Sequence, residues 1–154
     1  GEIAGKSAAM EAGGTMAADD AILLRARSIP DAHDIRSRLR SVMTENAMIA
    51  RNADGLTRAI RFCTDALEEM ERNAPATAAA DAAAALRLSA QLRTATAVLT
   101  AALLRRESRR AHYRTDHPDT LKSEEKRIIV TETDGAITAR HESSEERMNN
   151  MKNI

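Results

Sequence analysis

The chain has 154 residues, with 23 basic and 23 acidic side chains that cancel to a formal net charge of zero. That balance removes any global pull toward nucleic acid or an anionic membrane, and aromatics at 1% (Phe62 and Tyr113, with no tryptophan) leave no platform on which bases could stack. The one cysteine, Cys63, excludes a disulfide framework and a thiolate metal cluster.

The elements follow in chain order. Residues Glu2 to Ala12 (EIAGKSAAMEA) read as a short helix stopped by Gly13-Gly14, a strong breaker. Met16 to Arg27 form a second, weaker helix with Ile22, Leu23 and Leu24 as its apolar content. Ser28-Ile29-Pro30-Asp31 reads as a helix start: Ser28 as N-cap, proline in the first turn, an acid three residues after the cap. The helix that follows lines up Ile35, Leu39, Val42, Met43, Ala47 and Ala50 on one face. Asn52-Ala53-Asp54-Gly55 is a turn by composition. Beyond it, Leu56, Ala59, Ile60, Cys63, Ala66, Leu67 and Met70 alternate steps of three and four, the cleanest amphipathic pattern in the chain. Cys63 sits in that stripe and reads as a small buried hydrophobe.

Residues Asn73 to Ala85 are low in complexity. Their front, around Pro75, is a loop, and the alanine run joins a long helix expected to reach about Arg110, with Leu88, Leu92, Ala95, Leu99 and Leu103 along its stripe. After Pro118 the β-branched run Lys126 to Glu132 is answered by Ala136 to Arg140 across Thr133-Asp134-Gly135, a hairpin signal. A lone hairpin is marginal in water, so it should lie on another surface. The tail from Glu142 to Ile154 is polar and charged. The fold class expected is mainly α: a three-helix antiparallel bundle, spectrin-repeat-like, with a C-terminal β-hairpin. Its divisions are a leading segment 1–27, a bundle 28–118, a hairpin 119–141 and a tail 142–154. No apolar run reaches the ~18 residues of a membrane helix and no signal-peptide pattern opens the chain, so the cytoplasm is the expected compartment. The chain opens at Gly1, without an initiator methionine and inside an apolar pattern, and reads as a piece of something longer.

No catalytic constellation emerges. The four histidines are scattered, and His112 lies four residues from Asp116 and five from His117 with no third ligand in sight. Gly-rich phosphate loops, nucleophile elbows and nucleophile–base pairs are not found in the sequence. No catalytic, cofactor-binding or metal residue is therefore assigned. What stands out is the dense polar run that closes the long helix: Arg105-Arg106-Glu107-Ser108-Arg109-Arg110-Ala111-His112-Tyr113-Arg114. A solvated helix C-terminus uses one or two cations to complement its dipole, for about 0.3–1 kcal/mol each. This run exceeds that need, and reads either as a solvated end or as a docking corner.

The identity of the run favours the second reading. Arg106-Glu107-Ser108-Arg109, Ala111-His112-Tyr113-Arg114, Asp116 and Pro118 resemble the motif that ends the C-terminal three-helix domain of the L-aspartate oxidase, succinate dehydrogenase and fumarate reductase flavoproteins. That family has glycine after the Ser-Arg pair, a residue suited to tight, positive-φ backbone, where this chain has Arg110. Upstream, Leu39-Arg40-x-x-Met43 and Ile49-x-Arg51-x-x-x-Gly55-Leu56 resemble a second pattern of the same domain, in the same order and separation. Ile3-Ala4-Gly5-Lys6-Ser7-Ala8 is similar to the helix that leaves the flavin domain.

Within the family, His112-Tyr113-Arg114 and the lack of tryptophan are similar to the L-aspartate oxidase branch. The resemblance implies an FAD enzyme that oxidises L-aspartate to iminoaspartate, with oxygen or fumarate as acceptor, on the route to quinolinate and NAD. FAD and the catalytic residues would belong to a flavin-binding domain preceding Gly1, so this chain alone should be inactive and should not hold FAD. The resemblance further implies that Arg106, Glu107, Ser108, Arg109, His112 and Arg114 dock the helical domain on that flavin domain, with Arg109 and His112 foremost. The rival readings are a succinate dehydrogenase or fumarate reductase flavoprotein fragment, or an independent helical interaction module whose arginines bind an acidic protein.

Overall fold

A computed structural model describes residues 26–143 together with Glu146 and Met148. The expected helix at 2–12, the Gly13-Gly14 break, most of the second weak helix and nearly all of the polar tail lie outside the described residues. Three helices follow: α1 (Ala32–Ala47), α2 (Ala53–Arg72) and α3 (Ala79–Leu104). Two-residue strands β1 (Ala50–Arg51) and β2 (Tyr113–Arg114) pair in parallel, and β3 (Ile128–Thr133) pairs antiparallel with β4 (Ala136–His141). The bundle with its C-terminal hairpin is the architecture the periodicity implies.

Contacts at the two ends give the up-down-up order. At one end Ser28 donates to Ala74 O (2.7 Å) and Ala76 to Ala26 O (2.7 Å), which joins the start of α1 to the α2–α3 loop. At the other, β1 leads from α1 into α2 and pairs with β2 beyond the end of α3. The core is the seam of the three stripes: Leu39 from α1; Leu56, Ala59, Cys63, Ala66 and Met70 from α2; Leu88, Leu92, Ala95 and Leu99 from α3. Alanines at the α2–α3 contact let the two backbones approach, while each leucine withdrawn from water contributes roughly 1.5–3 kcal/mol. Burial raises the Cys63 thiol to about 11, against a weaker lowering by Thr96, so this cysteine is a filler of the core and no nucleophile at neutral pH.

Several boundaries differ from the sequence reading, each for a local reason. Ser28 does not cap α1: the helix begins after Asp31, and Ala26 and Ser28 spend their backbone groups on the α2–α3 loop, with Arg27 bridged to Pro75 rather than helical. The turn expected at Asn52–Gly55 contracts to a cap. Asn52 Oδ1 accepts from Gly55 N at 2.8 Å, and α2 starts at once. A Cβ on Gly55 would stand 2.8 Å from Asn46 Oδ1, so the missing side chain permits the close approach of α2 to the end of α1. Helix α3 stops at Leu104, six residues short of the expected Arg110, and the polar run is an ordered loop. The short β1–β2 pair was not anticipated; two residues carry no periodicity.

The hairpin turns through Asp134 (φ 51°) and Gly135 (φ 81°), both left-handed as a two-residue primed turn needs. It lies along α3, as expected of a hairpin too small to stand alone, and Arg93 of α3 pairs with Glu132 of β3. Among the described residues no helix is long and apolar enough to cross a membrane.

Candidate functional site

The run from Arg105 to Leu121 folds into a compact polar corner at the end of α3. Arg114 is its centre and is 1% exposed. Its Nη1 donates to the carbonyls of Ala102 (3.0 Å), Leu103 (3.2 Å) and Arg105 (3.1 Å), capping the C-terminus of α3 with a full positive charge. Its Nε and Nη2 form a two-pronged pair with Asp116 at 2.8 and 2.7 Å. Asp116 Oδ2 in turn accepts from Ala53 N (2.9 Å) in the first turn of α2. The cation therefore sits at a negative helix end and the anion at a positive one, and a single ion pair ties the last turn of α3 to the first turn of α2. The Arg114 guanidinium, with the Ala53 N–H adding to it against burial, holds the Asp116 carboxyl well below the usual carboxylate range.

Glu107 is the second buried charge, with no exposed surface. It accepts from Arg109 Nε (2.9 Å) and Nη2 (3.2 Å), Arg105 Nη1 (3.0 Å) and the backbone of Leu121 (2.8 Å). The Arg109 bond foremost, with Leu121 and Arg105 outweighing the cost of burial, lowers its pKa from 4.5 to about 2. Ser108 closes the loop on itself: its hydroxyl donates to His117 O (2.8 Å) and accepts from Arg114 N (2.9 Å), while Thr120 donates to its carbonyl (2.5 Å). Arg105 reaches the base of the hairpin through Glu124 O (2.8 Å) and Lys126 O (2.9 Å).

His112 joins the two resembling motifs. Arg51 donates Nη1 to His112 Nδ1 at 2.7 Å while its Nε holds Ala47 O at the end of α1. An Nδ1 that accepts from a guanidinium leaves the proton on Nε2, which faces Arg105 O at 3.4 Å. Burial first, then the charges of Arg51, Arg114 and Arg105, push the imidazole pKa down and keep the ring neutral.

Of the six residues assigned to docking, Glu107, Ser108 and Arg114 are buried and occupied within the chain. Arg109 and His112 are partly buried and hydrogen-bonded internally, and Arg106 is exposed. Sequence reasoning missed Arg51, Arg105 and Asp116 as members of the network. Arg51 and Asp116 stood in the resembling motifs, but nothing local announces that two segments some sixty positions apart meet (Arg51 and His112 are 61 apart). Arg110 has φ 54°, so the backbone turns there as glycine would, although the residue is arginine. Among the described residues no group of three or more histidine, cysteine or acidic side chains could hold a metal.

The solved structure of Mycobacterium smegmatis Sdh1 in complex with UQ1 is similar to this chain, with a TM-score of 0.56 and 20% identity. The match covers 88% of this chain and 23% of that one, so this chain spans about a quarter of that protein, and the likeness is one of fold. No curated protein matches. The sequence model of the family described as fumarate reductase flavoprotein C-term matches residues 36–151, and the chain belongs to that family of flavoprotein C-terminal domains.

Proposed function

We propose that this chain is the C-terminal helical domain of an FAD-dependent oxidoreductase of the L-aspartate oxidase type, oxidising L-aspartate to iminoaspartate. The observation that supports the reading is the Arg106–Pro118 run, which lies within the matched family domain and whose His112-Tyr113-Arg114 resembles that branch. The described residues contain no strand, Gly-rich turn and helix that could cradle a dinucleotide, so they do not fit FAD. The cofactor and the chemistry, hydride removal from a small dicarboxylate, belong to the flavin-binding part of the longer protein, and this chain by itself is inactive. Its role is to present a rigid corner to that part. Arg106 and the outer edge of Arg109 are charged groups it offers, and exposed Met48 (60%), Ile49 (79%) and Tyr113 (45%) lie at or next to the β1–β2 pair.

The test is the longer protein, purified with its flavin and assayed with L-aspartate and succinate side by side. L-Aspartate oxidation with little succinate turnover is the expected result. The reverse preference moves the assignment to a succinate dehydrogenase or fumarate reductase flavoprotein, which the fold neighbour favours. Arg106→Ala should weaken flavin retention in that protein and leave the helical domain's own melting unchanged. Unaltered flavin content would remove Arg106 from the docking surface.

A further inference from the structure

A second feature of the corner is not absorbed by docking. Between the loop that ends α3 and the base of the hairpin lies a cleft of about 380 Å³. Five cations line it: Arg105, Arg109, Arg110, Lys126 and Arg127. The carboxylates that answer them are Glu125 and Glu142 on its wall and Glu107 beneath. Arg105 and Arg109 share Glu107, Arg109 also nears Glu125 (3.8 Å), and Arg127 pairs with Glu142 (3.3 Å). Two further acids lie nearby: Glu124 faces His141 at 3.6 Å, and Glu146, which accepts from Ser143 N at 2.9 Å, pairs with Arg140.

Two cations remain over, Arg110 and Lys126, whose side chains have no ion pair or hydrogen bond among the described residues. Arg110 is also the residue held at φ 54°, a conformation disfavoured for any side chain with a Cβ and tolerated where surrounding contacts over-determine it. Arg109 N donates to His112 O (2.7 Å) and His112 N to Arg109 O (2.9 Å), which fixes that turn and places Arg110 on the cleft. Ser143 adds a hydroxyl to the wall.

We propose that this cleft binds a small polyvalent oxyanion, held between Arg110 and Lys126 and so clasping the α3 corner to the hairpin. Phosphate-type and dicarboxylate-type ions share the chemistry that a guanidinium and an ammonium recognise. The probes are sodium pyrophosphate and sodium malonate, titrated into the ¹⁵N-labelled 154-residue chain at constant ionic strength. Saturable shifts confined to the amides of Arg109, Arg110, Lys126 and Arg127 are the expected result. The double variant R110G/K126S should weaken binding by about tenfold or more, the loss of two charge-assisted contacts. Glycine suits the backbone at position 110, so the variant stays folded, and an unchanged amide spectrum away from the cleft checks this. Tighter binding of one probe assigns the source of the anion. A response matched by sodium chloride, a titration that does not saturate, or binding that survives the double variant overturns the proposal.

Discussion

The α2–α3 seam and the polar corner both exclude water, by opposite means. In the seam, Leu56, Leu88, Leu92 and Leu99 have no exposed surface and no polar demands to meet. Shape and volume suffice there, and a substitution costs in proportion to the area and cavity it leaves. In the corner, Arg114 and Glu107 are as deeply buried, but each is tolerated only because every hydrogen-bonding edge has a partner. Loss of one partner there leaves a charge or a carbonyl unanswered in a dry place. The seam is therefore graded in its response to mutation, and the corner is closer to all-or-none.

The largest break should come from Arg114. Arg114→Met keeps much of the volume but uncaps three carbonyls and takes the guanidinium from Asp116, which keeps only the Ala53 N–H and water, with an expected loss of about 3–5 kcal/mol by urea denaturation. Arg114→Lys, which keeps the charge without the fork, should recover less than half of that loss. Leu92→Ala comes next, at about 2–5 kcal/mol, whereas Leu92→Met should cost under about 1.5 kcal/mol because volume is what that site reads. If Lys proved as benign at 114 as Met at 92, the contrast between the two regions would collapse.

Acid separates them without a mutation. Glu107 titrates at about 2 in the folded chain against 4.5 as its ordinary value, a depressed pKa. Its contribution is therefore full above the ordinary value and is lost as pH falls from about 4.5 toward 2. Asp116 is shifted in the same direction and adds to the slope. Stability followed from pH 5 downward should fall in wild type and in Leu92→Ala alike, and fall less in Glu107→Gln. A slope untouched by Glu107→Gln would show that other carboxylates drive acid unfolding. The smallest expected effect is a gain: Arg110→Gly relieves the left-handed backbone and should stabilise the chain by about 1 kcal/mol. No gain would mean that the arginine side chain repays the strain.

The helices were legible because periodicity is a local property: every third or fourth residue from Leu56 to Met70 declares the buried face whatever it packs against. Asp134-Gly135 was equally legible, since a primed turn needs positive φ at both central residues. The end of α3 was not. Helix propensity through Arg110 is adequate, and α3 stops at Leu104 because Arg114, ten residues on, takes its last carbonyls. The run was visible as a dense polar cluster, but its sequence could not say that Glu107, Ser108 and Arg114 turn inward while Arg106 and Arg110 turn out.

The sequence by itself determined the three amphipathic stripes, the hairpin and the family motif, because each is written in the spacing of neighbouring residues. Only the tertiary structure decided which charges are internal cement and which remain free for a partner. Burial of a charge depends on partners from distant segments, as Arg51 with His112 and Ala53 with Asp116 show. Those pairings exist only after the apolar seam has brought the helix ends together.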